Sequence, residues 1–150
     1  MKTVAYEDLA GLAGQETGVS DWVLIDQDRI NKFADATGDH QWIHIDVARA
    51  ATEMPGGKTI AHGYLTLSLI PMLGAQILRI AGVSRGINYG SNKVRFTSMV
   101  PVGSRVRGRQ KVLSVTPRGG GMEMISQMTI EIEGQDRPAC VAETIGLVFK

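Results

Sequence analysis

Residues Gly63–Ile80 read GYLTLSLIPMLGAQILRI and form the most apolar segment of the chain. Apolar side chains on nearly every side predict a helix that is enclosed by a wrapping sheet or by a partner. Pro71 lacks a backbone N–H and should kink or interrupt this helix. The wider stretch Ile60–Gly82 also carries polar side chains and Arg79, so we interpret it as a helix buried in protein rather than a membrane span.

The pattern after Gly82 changes to alternating apolar segments that are typical of strands and are separated by Gly or Pro. We predict four strands, joined by short turns into an antiparallel meander: Ile87–Phe96, Ser104–Thr116, Met122–Glu133 and Ala139–Phe149. One helix and an antiparallel sheet define an α+β fold.

The turn Pro117–Gly121 sets a register for the central hairpin. That register opposes Arg105 to Glu133, Arg107 to Glu131 and Leu113 to Ile125, and it places Val106 and Ile132 on the other face. The basic stripe on this hairpin is either a phosphate-binding surface or a solvated face that is partnered by acids across the strand, and the register favours the second reading. The stripe comprises Arg105, Arg107, Arg109 and Lys111.

The chain before the apolar segment contains one amphipathic helix, Gln27–Thr37, with Asp26 as its N-cap and Gly38 at its exit. We expect a helical turn at Tyr6–Leu12 and a short strand at Trp22–Ile25. Asp39–His44 then forms a loop, and the rest of this part is a second short helix, Val47–Thr52, capped by Asp46, and a turn-rich connector, Met54–Lys58.

Composition narrows the class of protein. A chain of 150 residues is expected to form one domain, and 16 basic against 15 acidic side chains leave a net charge of +1, which argues against a nucleic-acid partner. The single cysteine, Cys140, cannot form an internal disulfide and is expected to be a buried thiol. Met1–Gln15 lack the pattern of a secretory signal, so we expect a cytoplasmic protein.

The side chains capable of chemistry concentrate in Ile30–Tyr64, which contains all three histidines of the chain. Asp39 and His44 lie five positions apart in a predicted loop. A carboxylate and an imidazole in a partly dry cleft can share a water molecule and act as base and proton carrier, the minimum needed to add water across a double bond. The alternative is that Asp39 only caps the turn and His44 packs under Trp42.

Gly63 follows His62 at the start of the apolar helix. A glycine there exposes a free backbone N–H and lets a carbonyl approach closely, which is what an oxyanion hole for an enolate requires. The alternative is an ordinary helix start at which the glycine relieves crowding. A metal site at His40, His44 and His62 is disfavoured because their spacing fits no compact zinc pattern. Motifs for nucleotide cofactors and serine hydrolases are absent from the sequence.

Three segments carry a resemblance to a known family: FADATGDHQWIH (Phe33–His44), TIAHGYLTLSL (Thr59–Leu69) and NYGSNKVRF (Asn88–Phe96). The chain resembles the MaoC-like dehydratase family, which includes the (R)-specific enoyl-CoA hydratases and a nodulation protein N-like branch. The resemblance covers about residues 22–103, and the last strands agree only in pattern.

The resemblance implies a hot-dog fold, in which an antiparallel sheet wraps around one long central helix, and a homodimer with an acyl tunnel near the interface. It also implies reversible hydration of trans-2-enoyl-CoA, or dehydration of the (R)-3-hydroxyacyl thioester, without metal or organic cofactor. Asp39 and His44 would then hold the water and transfer the proton, and the Gly63 amide would bind the thioester oxygen. The carrier is CoA or acyl carrier protein.

The sequence departs from the family pattern at two places. Gln41-Trp42 replaces the Asn-Pro that many hydratases have between the acid and the histidine, so the rigidity of the loop must come from elsewhere, such as indole packing. Pro71 stands where some relatives have a polar side chain, which affects substrate shape.

Two other functions are compatible with the same residues. A hot-dog thioesterase would use the carboxylate to activate water against the thioester carbonyl, and a non-catalytic acyl-thioester binding protein would need neither titrating group. The basic residues that could contact CoA phosphates include Arg79, Arg85, Lys93, Arg95 and the basic stripe.

Overall fold

The structure is a computed structural model that describes residues 1–150. Five α-helices occupy Gln27–Thr37 (α1), Trp42–Ile45 (α2), Val47–Glu53 (α3), Gly63–Ser68 (α4) and Ile70–Ile77 (α5). Eight strands occupy Lys2–Ala5 (β1), Glu16–Val19 (β2), Val23–Leu24 (β3), Leu78–Ala81 (β4), Arg85–Phe96 (β5), Arg105–Arg118 (β6), Gly121–Ile132 (β7) and Cys140–Phe149 (β8). The segments Tyr6–Leu12 and Pro55–Gly57 are short 3-10 helices.

The long antiparallel strands wrap around the central helical segment α4–α5, as expected for a hot-dog fold. Leu65, Leu69, Leu73 and Ile77 of this segment are buried in one apolar cluster with Val106, Met128, Ile130 and Ala142 of the sheet. The predicted α+β class and the enclosed apolar helix are confirmed. No helix in the structure is both long enough and apolar enough to cross a membrane.

The predicted helix over Gly63–Ile80 is interrupted close to Pro71, as expected, but it ends earlier than predicted. The helix is interrupted at Leu69, two residues before Pro71, which has no N–H to donate to the preceding turn. It ends at Ile77, because Leu78–Ala81 pairs in parallel with β1 instead. The expected interruption near Pro71 is confirmed. The pairing of Leu78–Ala81 with β1 could not be predicted, because no pattern in the sequence indicates that Lys2–Ala5 is a strand.

The four predicted strands are present within two residues of their expected bounds, but they do not form a simple meander. The main sheet has the order β2-β6-β7-β8-β5, so β5 pairs with the last strand, β8, rather than with β6. The connection from β5 to β6 therefore passes across the sheet to its opposite side. This arrangement leaves β5 at an edge of the sheet, with only one strand neighbour.

The predicted register of the central hairpin is correct at its open end and wrong near its turn. Arg107 opposes Glu131 and Val106 opposes Ile132 as expected, but Ile125 opposes Ser114 rather than Leu113. The turn has two residues, Gly119 and Gly120, both at positive φ, and a bulge between Val112 and Ser114 absorbs the one-residue difference.

The basic stripe is partnered by acids, which confirms the favoured reading for its arginines. Arg107 and Arg109 both contact Glu131, at 2.6 and 2.7 Å, and Arg109 also contacts Glu16 at 2.6 Å. Arg105 and Glu133 are 3.3 Å apart. These guanidinium groups are therefore occupied by protein carboxylates.

For the chain before the apolar segment, the sequence predicted two residues that cap the start of a helix, and the structure has both. Asp26 accepts a hydrogen bond from the Arg29 amide and Asp46 from the Arg49 amide, so both predicted N-caps are confirmed. Cys140 is free and buried. The predicted loop Asp39–His44 is shorter than expected, because Trp42–Ile45 forms the short helix α2.

Candidate active site

His44 lies on α2 and points inward, with 6% of its surface exposed. Its Nδ1 is 2.7 Å from the carbonyl oxygen of Ile60. Because a carbonyl can only accept, Nδ1 carries the proton and Nε2 of the neutral ring has a free lone pair. The Ile60 amide also donates to the carbonyl of Ile43 at 3.1 Å. This backbone hydrogen bond joins α2 to the segment that precedes α4.

Asp39 follows the exit of α1 and is exposed to solvent. One carboxylate oxygen accepts from the Gln41 amide at 3.3 Å, which is the turn-capping contact that the sequence left open. A carboxylate oxygen of Asp39 and a ring nitrogen from each of His44 and His62 lie within 4.8 Å of one another. Asp39 and His44 make no direct hydrogen bond, and a separation of this size suits a water molecule that contacts both.

The His44 ring stacks on His62, not under Trp42. The two imidazole centroids are 3.8 Å apart and the ring planes differ by 23°. Trp42 instead packs against the guanidinium of Arg49, whose carbon lies 4.0 Å from the indole centroid. The alternative in which His44 packs under Trp42 is therefore not the arrangement found.

His62 is the N-cap residue of α4 and is 2% exposed. Its Nε2 lies 3.0 Å from the backbone carbonyl oxygen of Asp39 and donates to it. Its Nδ1 is buried and has no hydrogen-bond partner. Since a metal ion binds in the plane of an imidazole at about 2 Å, stacked rings do not converge on one ion, and this geometry disfavours a metal site at these residues.

Gly63 begins α4, and its amide has no acceptor within the protein, as expected for the first turn of a helix. The ring of Phe96 lies directly against its Cα: a Cβ placed on Gly63 would be 3.0 Å from two ring carbons. The glycine therefore has the free N–H that an oxyanion hole would need, and it also avoids a steric clash, as the alternative states.

His44 and Gly63 line one cavity of about 640 Å³. Its walls come from α4, from the end of β5 with the segment 97–101 that follows it, and from the connection between β7 and β8. Arg137 on that connection is the only basic side chain among the lining residues other than His44. Asp39 and His62 are not among the lining residues.

Burial lowers the pKa of His44, and the hydrogen bond to the Ile60 carbonyl opposes this shift. Proximity to His62 lowers the pKa further, whereas the negative charge of Asp39 raises it. His44 is therefore neutral at pH 7 and can accept a proton at Nε2. His40 belongs to a different environment: it is exposed, and its hydrogen bond to Asp35 at 3.0 Å raises its pKa.

Sequence reasoning located Asp39, His44 and Gly63, and the structure brings the first two together and places the third on the same cavity as His44. It missed the contacts of His62 and the position of Arg137. The only signal for His62 was its place beside Gly63, and no local pattern indicated that Arg137 faces the cavity.

The fold and this constellation are those of a hot-dog protein with an Asp-His pair beside the start of its central helix. A family model described as "MaoC like domain" matches residues 8–132. The chain belongs to the MaoC-like dehydratase family, as the resemblance predicted, and the expected enzyme class, a hydro-lyase, is confirmed by the names of its relatives.

The chain is 54% identical over 139 residues to the 3-hydroxyacyl-thioester dehydratase Z of Mycobacterium tuberculosis strain H37Rv, covering 92% of this chain and 91% of the relative. It is 44% identical over 150 residues to nodulation protein N of Rhizobium leguminosarum bv. viciae, covering 99% and 93%. Among solved structures, the R-hydratase PhaJ1 of Pseudomonas aeruginosa has a TM-score of 0.71 and 26% identity, covering 92% and 82%.

Proposed function

We propose that the protein is an (R)-specific enoyl-thioester hydratase and 3-hydroxyacyl-thioester dehydratase that adds water reversibly to trans-2-enoyl-CoA. The observation that carries the proposal is the spacing of the Asp39 carboxylate and the His44 ring, within 4.8 Å of one another. The relative that is 54% identical is named 3-hydroxyacyl-thioester dehydratase Z, which supports the dehydratase part of the proposal.

In the hydration direction, Asp39 and the His44 Nε2 would hold one water molecule between them. As the water oxygen forms a bond to the β carbon, its proton passes to the base, and the π electrons move towards the thioester oxygen. The resulting enolate would accept a hydrogen bond from the Gly63 amide, which has no other acceptor. The Asp39–His44 pair then returns to the α carbon of the enolate the proton that it took from the water, so that one water molecule is added in total and both side chains recover their starting state. This sequence needs no metal or organic cofactor.

Arg137 is our candidate for the contact with the phosphates of the thioester carrier. The arginines of the basic stripe are occupied by carboxylates. Arg137 makes no ion pair, is exposed and lines the cavity that His44 and Gly63 share. A free guanidinium at the mouth of an anionic-substrate site can bind phosphate through two N–H groups.

We also infer a cytoplasmic homodimer of single-domain chains. β5 has a free edge, and it exposes Ile87, Tyr89 and Phe96, which are 46%, 53% and 47% exposed. An apolar edge strand is usually covered by another chain. The unpaired, buried Cys140 thiol is compatible with a reducing compartment.

The proposal is tested by incubating the protein with crotonyl-CoA and with a longer trans-2-enoyl-CoA. Loss of the conjugated enoyl absorbance is followed while a thiol reagent reports free CoA. The expected result is loss of absorbance without thiol release. Thiol release would instead establish a thioesterase, and the absence of both signals would favour an acyl carrier protein substrate or a non-catalytic acyl-thioester binding protein.

A further inference from the structure

His62 is connected to each of the three groups of the candidate site. It is covalently joined to Gly63, its ring stacks on His44 with centroids 3.8 Å apart, and its Nε2 donates to the Asp39 carbonyl over 3.0 Å. Phe33 also packs against the His62 ring, with centroids 4.9 Å apart and the ring planes tilted by 56°.

The hydrogen bond to the Asp39 carbonyl is important because the other contacts of Asp39 are local. The Asp39 amide donates to the Thr37 hydroxyl at 3.4 Å, and its carboxylate accepts from the Gln41 amide at 3.3 Å. Both partners lie two positions away in the chain. Only the bond from His62 ties Asp39 to a different element, α4.

That bond also fixes the tautomer of His62. A neutral imidazole has one N–H, and the Asp39 carbonyl receives it from Nε2. Nδ1 is left as a buried acceptor without a donor. An unsatisfied buried acceptor reduces stability, and an apolar side chain at this position would avoid that cost. The ring therefore has a use other than packing.

We propose that His62 is a positioning residue of the hydration site, which holds the Asp39 peptide and the His44 ring at a fixed separation beside the Gly63 amide. This inference rests on the proposed function, since it assigns His62 a role in that reaction. His62 touches no reacting atom; it acts through Asp39 and His44. Misplacing a catalytic group by about 1 Å can cost roughly a hundredfold in rate.

Two variants separate the two contacts. His62→Phe keeps an aromatic ring for stacking but has no N–H, and His62→Gln provides an N–H but no ring. We expect each to lower kcat for crotonyl-CoA by about 10- to 100-fold with a smaller change in KM. His40→Gln is the matched control, since His40 is exposed and contacts Asp35 rather than the site, and it should retain the wild-type rate.

A role limited to packing would lower kcat equally at every pH. Replacing His62 by a neutral side chain removes an ionisable neighbour of His44, so the acid limb of the kcat profile should move to higher pH. The titratable group that faces these rings is Asp39, from the turn after α1, whereas Arg137, from the β7–β8 connection, shares a cavity with His44 alone, and neither is altered in the variants.

NMR titration of the His44 ring measures the same shift without turnover. A wild-type protein that does not hydrate crotonyl-CoA would overturn the proposed function, whereas the titration still tests the coupling of the two rings. Folded variants with wild-type kcat, or with a loss of kcat and an unshifted His44 titration, would overturn the role of His62. If neither variant folds, ¹⁵N spectra of the wild type decide, and a His62 ring protonated at Nδ1 contradicts the inference.

Discussion

The Nδ1–H of His44 donates to the carbonyl oxygen of Ile60 over 2.7 Å, and this bond determines which ring nitrogen can act on a substrate. With Nδ1 occupied, Nε2 is the only nitrogen that can accept a proton. The carbonyl belongs to the segment that leads directly into α4, so the bond also sets the position of the ring relative to the Gly63 amide.

The activity should fall at acid pH because His44 must be neutral to act as a base. Burial lowers its pKa below the ordinary value of about 6.5. We therefore expect the decline of kcat/KM for crotonyl-CoA with falling pH to be centred below 6.5. A decline centred above pH 7 would contradict the lowered pKa.

The same shift has a consequence for stability. Between the lowered native pKa and about 6.5, the unfolded chain binds a proton at His44 and the folded chain does not, so the free energy of unfolding decreases as the pH falls through this range. His44→Gln should remove this contribution, which urea unfolding at several pH values would measure. His40 has the opposite sign, since its raised pKa favours the folded state at low pH, but the pair is exposed and its effect should be small.

Asp39→Asn should lower kcat by at least about a hundredfold, the ordinary size of an acid/base contribution. The substitution preserves the shape of the side chain and its capacity to accept from the Gln41 amide, and Asp39 is exposed, so the melting temperature should change little. Asp28→Asn is a matched control, since Asp28 is an exposed carboxylate that pairs with Lys32 on α1. Near-normal turnover by Asp39→Asn would exclude the carboxylate from the reaction.

Gly63→Ala should reduce both stability and activity, because the added methyl group would lie 3.0 Å from the Phe96 ring. The double variant Gly63→Ala/Phe96→Ala removes this clash while both backbone amides remain. Recovered stability without recovered activity would show that the substrate itself needs the open approach to the Gly63 amide. Full recovery of activity would mean that the glycine only avoids Phe96. Gly11→Ala, where nothing lies within 4 Å of the new methyl, is the control.

Local signals were sufficient wherever a structure depends on neighbouring residues. Asp26 and Gly38 defined the ends of α1, and alternation defined the long strands, because capping and side-chain period act within a few residues. The partner of β5 and the parallel pairing of Leu78–Ala81 with β1 depend on residues far apart in the chain. Periodicity carries no information about such partners.

The candidate site also has some residues that the sequence indicates and some contacts that it does not. Asp39, His44 and Gly63 could be found through their family motifs, but the stacking of His62 and the approach of Arg137 result from tertiary packing. The bulge beside Leu113 could not be predicted either. The sequence Gly119–Gly121 is compatible with a turn of two residues or of three, and only the two-residue turn requires a bulge further along the hairpin.

Arg137→Met should raise KM for crotonyl-CoA by about tenfold and leave kcat nearly unchanged, because the loss of one charge-assisted phosphate contact weakens binding in the ground and transition states alike. The KM of the wild type should also rise with salt more steeply than that of the variant. Arg105→Met serves as the control, since Arg105 is paired with Glu133. Equal effects of the two variants would assign no phosphate contact to Arg137.

The exposed edge of β5 predicts the oligomeric state. Sedimentation equilibrium should give twice the chain mass of 16.2 kDa. Ile87→Lys places a charge on the exposed apolar edge and should shift the protein towards the monomer, because burying an unpaired ammonium at an interface is unfavourable. Val47→Lys, at an equally apolar but helical surface position away from β5, should leave the mass unchanged. A wild-type monomer at micromolar concentration would contradict the proposed dimer, and a dimer that survives Ile87→Lys would place its interface elsewhere.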